Sequence, residues 1–154
     1  EILAAKENLD INLDPGMWVS DDNDDLAVSP DGSENVDTPT WAAEVKCLSS
    51  ANHLKHVIKD SRARAKEEYS PINHVPDDAK SAYREQVIQY FVVNEKLQRL
   101  YFVLYDDRLA LDKYMHHVIV IERDQIEAEV AEQKRTQLET LAEINSLIEE
   151  LKRV

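Results

Sequence analysis

After Pro76 the chain contains neither glycine nor proline, the two residues that most readily end a helix or form a tight turn. A stretch of that length without punctuation reads as helix, and if continuous to Val154 it would extend roughly 120 Å at 1.5 Å per residue. Pro76 followed by Asp77 and Asp78 suits a helix start, because proline fits the first turn and acids favour the N-terminal end of the helix dipole.

The apolar residues of this stretch fall at helical spacing. One seam runs through Tyr83, Val87, Tyr90, Asn94, Leu97, Tyr101, Leu104, Arg108, Leu111, Met115 and Val118 in steps of four and three, an unbroken heptad register. A second, one position round, holds Ile88, Phe91, Phe102, Tyr105, Leu109, Ile119 and Ile126. Adjacent helical positions lie about 100° apart, so the two seams form an arc too wide for one neighbour and predict a bundle. Beyond Glu122 a single stripe remains, through Val130, Leu138, Leu141, Ile144, Ile148 and Leu151, as in a two-stranded coiled coil. Short polar stretches at Asp106 and Asp107 and at Glu122 to Gln125 could interrupt the rod; the continuous rod is the preferred reading.

Upstream, residues Glu1 to Thr40 hold eleven acids and one lysine, so most of the net charge of −13 sits there. Glu1 to Leu13 fits a short helix poorly. Asp14 to Pro39 is rich in Asp, Asn, Ser, Gly and Pro and reads as an irregular arm. Trp18 beside Asp21 and Asp22 could anchor in a partner or fold back on the chain's own helices. Ser29, Thr38 and Ser70 each precede proline, the pattern of proline-directed phosphorylation. Thr38 and Pro39 also suit a helix start, opening a helix to Tyr69 with the stripe Trp41, Val45, Leu48, Ala51, Leu54 and Ile58. Ser70 to Pro76 breaks the helix twice and turns the chain into a hairpin.

The catalytic inventory is short. Two glycines are too few for a phosphate-binding loop, and no Cys-x-x-Cys or His-Glu-x-x-His occurs. His53, His56 and Asp60 share a helical face without an evident fourth metal ligand. Lys55, Lys59, Arg62, Arg64 and Lys66 form a basic patch that the acidic arm is expected to neutralise rather than nucleic acid. The single cysteine, Cys47, suits a reducing compartment, and no apolar run approaches the roughly 20 residues of a membrane span.

These features predict an all-α protein: a helical hairpin with a very long C-terminal helix in a bundle or coiled coil with partner helices, behind an acidic arm. The expected divisions are 1–39 (arm), 40–121 (hairpin and bundle) and 122–154 (coiled-coil extension). The expected function is a non-catalytic scaffold subunit of a hetero-oligomeric complex, with an adaptor or acidic chaperone gripping a basic partner as the alternative. Partner contacts are assigned to Trp18, Asp21, Asp22, Leu97, Leu104, Leu109, Leu111, Met115, Val118, Ile119, Ile126, Leu141, Ile148 and Leu151. No enzyme activity, metal, cofactor, small-molecule substrate, membrane or direct nucleic-acid contact is expected, and the location is intracellular, cytoplasmic or nuclear. The heptad texture resembles that of coiled-coil subunits in many assemblies.

Overall fold

The computed structural model of the chain describes residues 9–78 and 81–153. It is a mixed α/β structure, which overturns the all-α expectation. A sheet in the order β1-β4-β5-β8-β9 forms its centre. These strands are β1 (Ile11–Asn12), β4 (Gly32–Glu34), β5 (Trp41–Cys47), β8 (Arg99–Tyr105) and β9 (His116–Glu122). All neighbours are antiparallel except β5 and β8, which run parallel from Trp41 opposite Arg99 to Cys47 opposite Tyr105. Two small hairpins pair β2 (Trp18–Val19) with β3 (Ala27–Val28) and β6 (Asp77–Asp78) with β7 (Ser81–Ala82). The α-helices among the described residues are α1 (Ser50–Ala63), α2 (Tyr83–Val93) and α3 (Glu127–Leu151).

Among the described residues, the supposed rod from Pro76 onward is therefore the β6–β7 hairpin, α2, the strands β8 and β9, and α3. β8 and β9 read Arg-Leu-Tyr-Phe-Val-Leu-Tyr and His-His-Val-Ile-Val-Ile-Glu, rich in the β-branched and aromatic residues that fit a pleated surface. Lying between β5 and β9, β8 is buried on both faces, so it appears as a continuous apolar run rather than an alternation. Such a run satisfies helical and strand spacing alike, and this is how it entered a heptad register. Leu100, Phe102 and Leu104 face one core with Ile119 and Ile121, while Tyr101 and Val103 join Ala43, Val118 and Val120 on the other face.

Turns form without glycine or proline because Asx side chains shape them. Asn94 Oδ1 accepts from the Lys96 amide at 2.9 Å after α2, and Asp106 Oδ1 accepts from the Arg108 amide at 3.1 Å after β8. After β9, Glu122 and Gln125 form a capping box on the short 3-10 turn Arg123–Gln125 that leads into α3. Arg123 fastens this junction, donating to the carbonyls of Leu97, Phe91 and Asn94 at 2.6 to 2.8 Å.

The N-terminal segment is not an irregular arm where it is described. It supplies β1 to β4, and Trp18 packs half-buried against the main core. Asp21 is exposed in the β2–β3 loop, and Asp22 pairs with Lys134 of α3 at 2.7 Å. Most of the short helix considered for Glu1 to Leu13 lies outside the described residues. The helix expected from Pro39 to Tyr69 is β5 followed by α1, and Ser70 to Pro76 holds a 3-10 turn over Pro71–His74.

Among the described residues no helix pair forms a coiled coil. α3 lays its first half on α2, with Gln133 Nε2 donating to Gln89 Oε1 at 2.9 Å. Leu97, Leu104, Ile119 and Ile126 are at most 1 % exposed, so the cover expected from a partner comes from the chain's own helices. Leu109, Met115, Val118 and Leu141 are half-buried, and Leu111, Ile148 and Leu151 are exposed. Ser29 and Thr38 are exposed and Ser70 half-buried. No helix among the described residues is long and apolar enough to cross a membrane.

Ile119→Ala is expected to destabilise the fold by about 2–5 kcal/mol through transfer and cavity costs, and Leu111→Ala by no more than about 0.5 kcal/mol. Urea titration of the two variants checks this; equal midpoints would contradict the placement of β9.

Candidate active site

β5 begins Trp41-Ala42-Ala43-Glu44-Val45-Lys46, and successive strand residues alternate between faces. Ala42 joins the core beneath α2, so Glu44 and Lys46 project to that same helix-covered face. Their register partners on β8 are Phe102 and Leu104, both fully buried. Glu44 is only 3 % exposed, a carboxylate set in an apolar row. Burial of that kind is tolerated only when the charge is paired and hydrogen-bonded.

The partners come from β5 itself and from α2. Lys46 Nζ forms an ion pair with Glu44 Oε1, Gln86 Nε2 donates to the same oxygen at 2.9 Å, and the Tyr90 hydroxyl donates to Oε2. Gln86 and Tyr90 are four apart and so lie on one face of α2. Burial, and then the hydrogen bond to Glu44, push the Tyr90 phenol well above its ordinary pKa, which keeps it a donor. Lys46 Nζ also lies 5.1 Å from the centre of the Tyr83 ring at the start of α2, a cation–π contact that holds the ammonium close to the helix.

A second carboxylate arrives from β4. The last β4–β5 register pair is Gly32 with Ala43, and one step further Asp31 meets Glu44. The Asp31 amide donates to Ala43 O at 3.1 Å, and its Oδ2 accepts from the Val45 amide at 2.7 Å. The backbone thus fixes Asp31 beside Glu44, while its side chain stays exposed. Ser29, two residues earlier, has its carbonyl 2.9 Å from the Tyr90 hydroxyl. An exposed carboxylate, a buried carboxylate and an ammonium thus meet where β4 parts from β5.

This donor set is made of hard oxygen ligands beside a fixed positive charge. Mg²⁺ and similar ions are usually held by one or two carboxylates plus substrate phosphates rather than by an all-protein cage, and Asp31 with Glu44 fits that requirement. Among the described residues no cluster of three or more His, Cys, Asp or Glu suits a metal ion.

Sequence reasoning missed all five residues, Asp31, Glu44, Lys46, Gln86 and Tyr90. Assigning Trp41 to Cys47 to a helix placed Glu44 and Lys46 on different sides, whereas strand alternation brings them together. The available signal was an acid and a lysine two apart in an otherwise uncharged stretch, downstream of Asp31 and Gly32.

The histidine and aspartate face of α1 serves a different purpose. His53 Nε2 donates to Tyr114 O at 2.7 Å, and Asp60, 1 % exposed, is surrounded by donors. Arg64 Nε, the Tyr69 hydroxyl and His117 Nε2 reach its oxygens at 2.6, 2.6 and 2.8 Å. Burial alone would raise the Asp60 carboxyl, but these hydrogen bonds and the Arg64 charge outweigh it and hold the group well below its ordinary 3.8. The cluster ties α1 to β9.

No family model and no curated protein matches this sequence. Two solved structures that share this fold are both of one enzyme. A crystal structure of the alkaline exonuclease LHK-Exo from Laribacter hongkongensis superposes with a TM-score of 0.66 at 24 % identity, covering 99 % of this chain and 66 % of that one. The complex of LHK-Exo with dAMP gives a TM-score of 0.68 at 24 % identity, covering 99 % and 65 %. This chain thus spans slightly under two thirds of the exonuclease's length, and the two share a fold. The neighbours are an enzyme that processes nucleic acid, with a nucleotide bound in one structure. That overturns the expectations of a non-catalytic scaffold subunit or adaptor and of partners with long helices. It equally overturns those of no enzyme activity, no nucleic-acid contact and no small-molecule substrate.

A depressed Asp60 carboxyl means that the unfolded chain binds this proton more readily than the native one. Its contribution to stability is complete above about pH 5 and is lost as the pH falls through 3.8 and below. Asp60→Asn is expected to be less stable at pH 7 and to show a shallower loss between about pH 5 and pH 2, checked by denaturant midpoints across that range. Tyr90→Phe, which leaves a buried carboxylate one donor short, is expected to cost about 1–3 kcal/mol.

Proposed function

We propose that this protein is a divalent-metal-dependent nuclease that hydrolyses phosphodiester bonds of DNA, acting from strand ends as the exonuclease that shares its fold is named for doing. The observation that carries the reading is the convergence of Asp31, Glu44 and Lys46, buttressed by Gln86 and Tyr90, within that fold. The exposed Asp31 and the buried Glu44 would hold the cation. What a cation supplies when bound there is polarisation of the phosphoryl oxygen and a lowered pKa for water.

The remaining work falls to the chain's own groups. Lys46 places a positive charge where the phosphoryl group must gain negative charge, the kind of preorganised electrostatic contact that contributes most to such reactions. Gln86 and Tyr90 fix the Glu44 carboxylate so that its orientation is set before substrate arrives, and the Val45 amide does the same for Asp31. Tyr83 keeps Lys46 from swinging into solvent. An intracellular setting, cytoplasmic or nuclear, fits a DNA substrate and the exposed Cys47 thiol.

With Mg²⁺ or Mn²⁺ the protein is expected to release nucleotides from linear DNA but not from closed circles, and chelation should stop it. Asp31→Asn and Lys46→Ala are each expected to lower the rate at least about 100-fold, with circular dichroism unchanged for Asp31→Asn and stability lowered for Lys46→Ala, which removes a partner of the buried Glu44. Asp31→Asn is the cleaner variant because its side chain is exposed. Hydrolysis that persists in chelator, or an Asp31→Asn variant as fast as wild type, would remove this reading.

A further inference from the structure

A chain with net charge −13 repels a polyanion, so a nuclease reading requires a local surface of opposite sign. α1 carries one. Its inward side holds His53, Val57 and Asp60, all buried, and its outward side holds Lys55, Lys59 and Arg62, all exposed, with Lys66 just beyond its end. Spacings of four and three put Lys55, Lys59 and Arg62 on one face, and Lys66 lines the same cleft as these three. None of the four is in an ion pair among the described residues, although Lys46, Arg64, Arg84, Arg99, Arg108, Lys134, Arg135 and Lys152 all are. The acidic β2–β3 loop, expected to neutralise them, pairs through Asp22 with Lys134 instead. Four unpaired cations lining one cleft are unusual where carboxylates are in such excess.

The position of this face links it to the candidate active site. β5, the strand carrying Glu44 and Lys46, enters α1 after only Leu48 and Ser49. A cleft between α1 and the start of α2 is lined by His56, Lys59, Asn73 and Arg84, and a neighbouring one by Lys55, Lys59, Arg62 and Lys66. Lys59 borders both. Arg84 adjoins Tyr83, whose ring faces the Lys46 ammonium. The cations of α1 therefore reach the start of α2 at Arg84, which itself pairs with Glu129 at 3.6 Å, and Asp77 lines the same cleft.

We infer that the outward face of α1, Lys55, Lys59 and Arg62 with Lys66, is a track that grips the phosphate backbone of the DNA being delivered to Asp31, Glu44 and Lys46. This deepens the nuclease reading and rests on it for the direction of delivery. Lys55 to Arg62 spans about 10 Å along the helix, the rise of about three phosphates on one strand of a duplex. Contacts of this kind position a substrate without reading its sequence. The track thus supplies grip along the strand, while the chemistry stays at β5.

The test compares wild type with the triple variant Lys55→Gln, Lys59→Gln, Arg62→Gln. Binding of a short fluorescein-labelled DNA duplex is followed by anisotropy across a range of salt, and hydrolysis of an aryl ester of a mononucleotide, too small to reach α1, is measured alongside. The triple variant is expected to bind on the order of ten-fold more weakly at low salt, with a log Kd against log salt slope smaller by about 3, and to hydrolyse the small ester at the wild-type rate. An unchanged Kd and slope would overturn the track even if wild type proves to be a nuclease. A wild type that binds duplex through α1 but hydrolyses neither substrate would sink the nuclease reading and leave the track standing. Should the triple variant fail to fold, Lys59→Gln alone is expected to lower the slope by about 1, and no change there overturns the track equally.

Discussion

The carboxylate of Glu44 is the interaction on which the rest of this molecule turns. It sits in a row of fully buried apolar side chains, opposite Phe102 in register, under a helix. A charge placed there without partners would cost several kcal/mol. Its partners are drawn from two elements, Lys46 on its own strand and Gln86 and Tyr90 on α2. The same contacts that make the burial tolerable set the distance and rotation of α2 on the sheet. Asp31 is fixed next to Glu44 by its amide donating to the Ala43 carbonyl and by its carboxylate accepting from the Val45 amide, so the arrangement of charged groups follows from the pairing of this segment with β5.

Around that centre the fold divides its polar contacts by task. Arg123 binds the carbonyls at the end of α2 and so clamps the helix to the entry of α3. Asp60 gathers Arg64, Tyr69 and His117, joining α1 to the edge strand β9. Each cluster engages its charge with structural partners. The pair of Asp31 and Glu44 differs, because one of its carboxylates remains open to solvent while a fixed ammonium stands beside the other. Open acceptor capacity next to a preorganised positive charge is what phosphoryl chemistry uses, and satisfied buried ion pairs do not offer it.

Some of this was legible in the residues. Helical character over Glu127–Leu151 and the turn between Ser70 and Pro76 can be read from spacing and from proline. The polar stretches at Asp106 and Asp107 and at Glu122 to Gln125 mark real ends of β8 and β9. The strands could not be separated from helices by periodicity, since Leu100 to Tyr105 and Val118 to Ile121 are apolar at every position and match any period. Their content of valine, isoleucine, tyrosine and phenylalanine was the better guide. The scarcity of glycine and proline misled because Asn94 and Asp106 shape turns with their side chains.

What the sequence by itself determined was local: which segments can be helical, where the charge lies, which short stretches must be buried, and that no Gly-rich loop or Cys and His motif is present. Only the tertiary structure decided that Asp31, Glu44, Lys46, Gln86 and Tyr90 belong together. Strand pairing and helix docking bring residues from three separate elements to one point, and no period along the chain encodes that meeting. The same holds for the apolar runs, whose burial depends on which neighbours cover them. A partner chain and the chain's own sheet are indistinguishable in sequence, because both remove the same side chains from water.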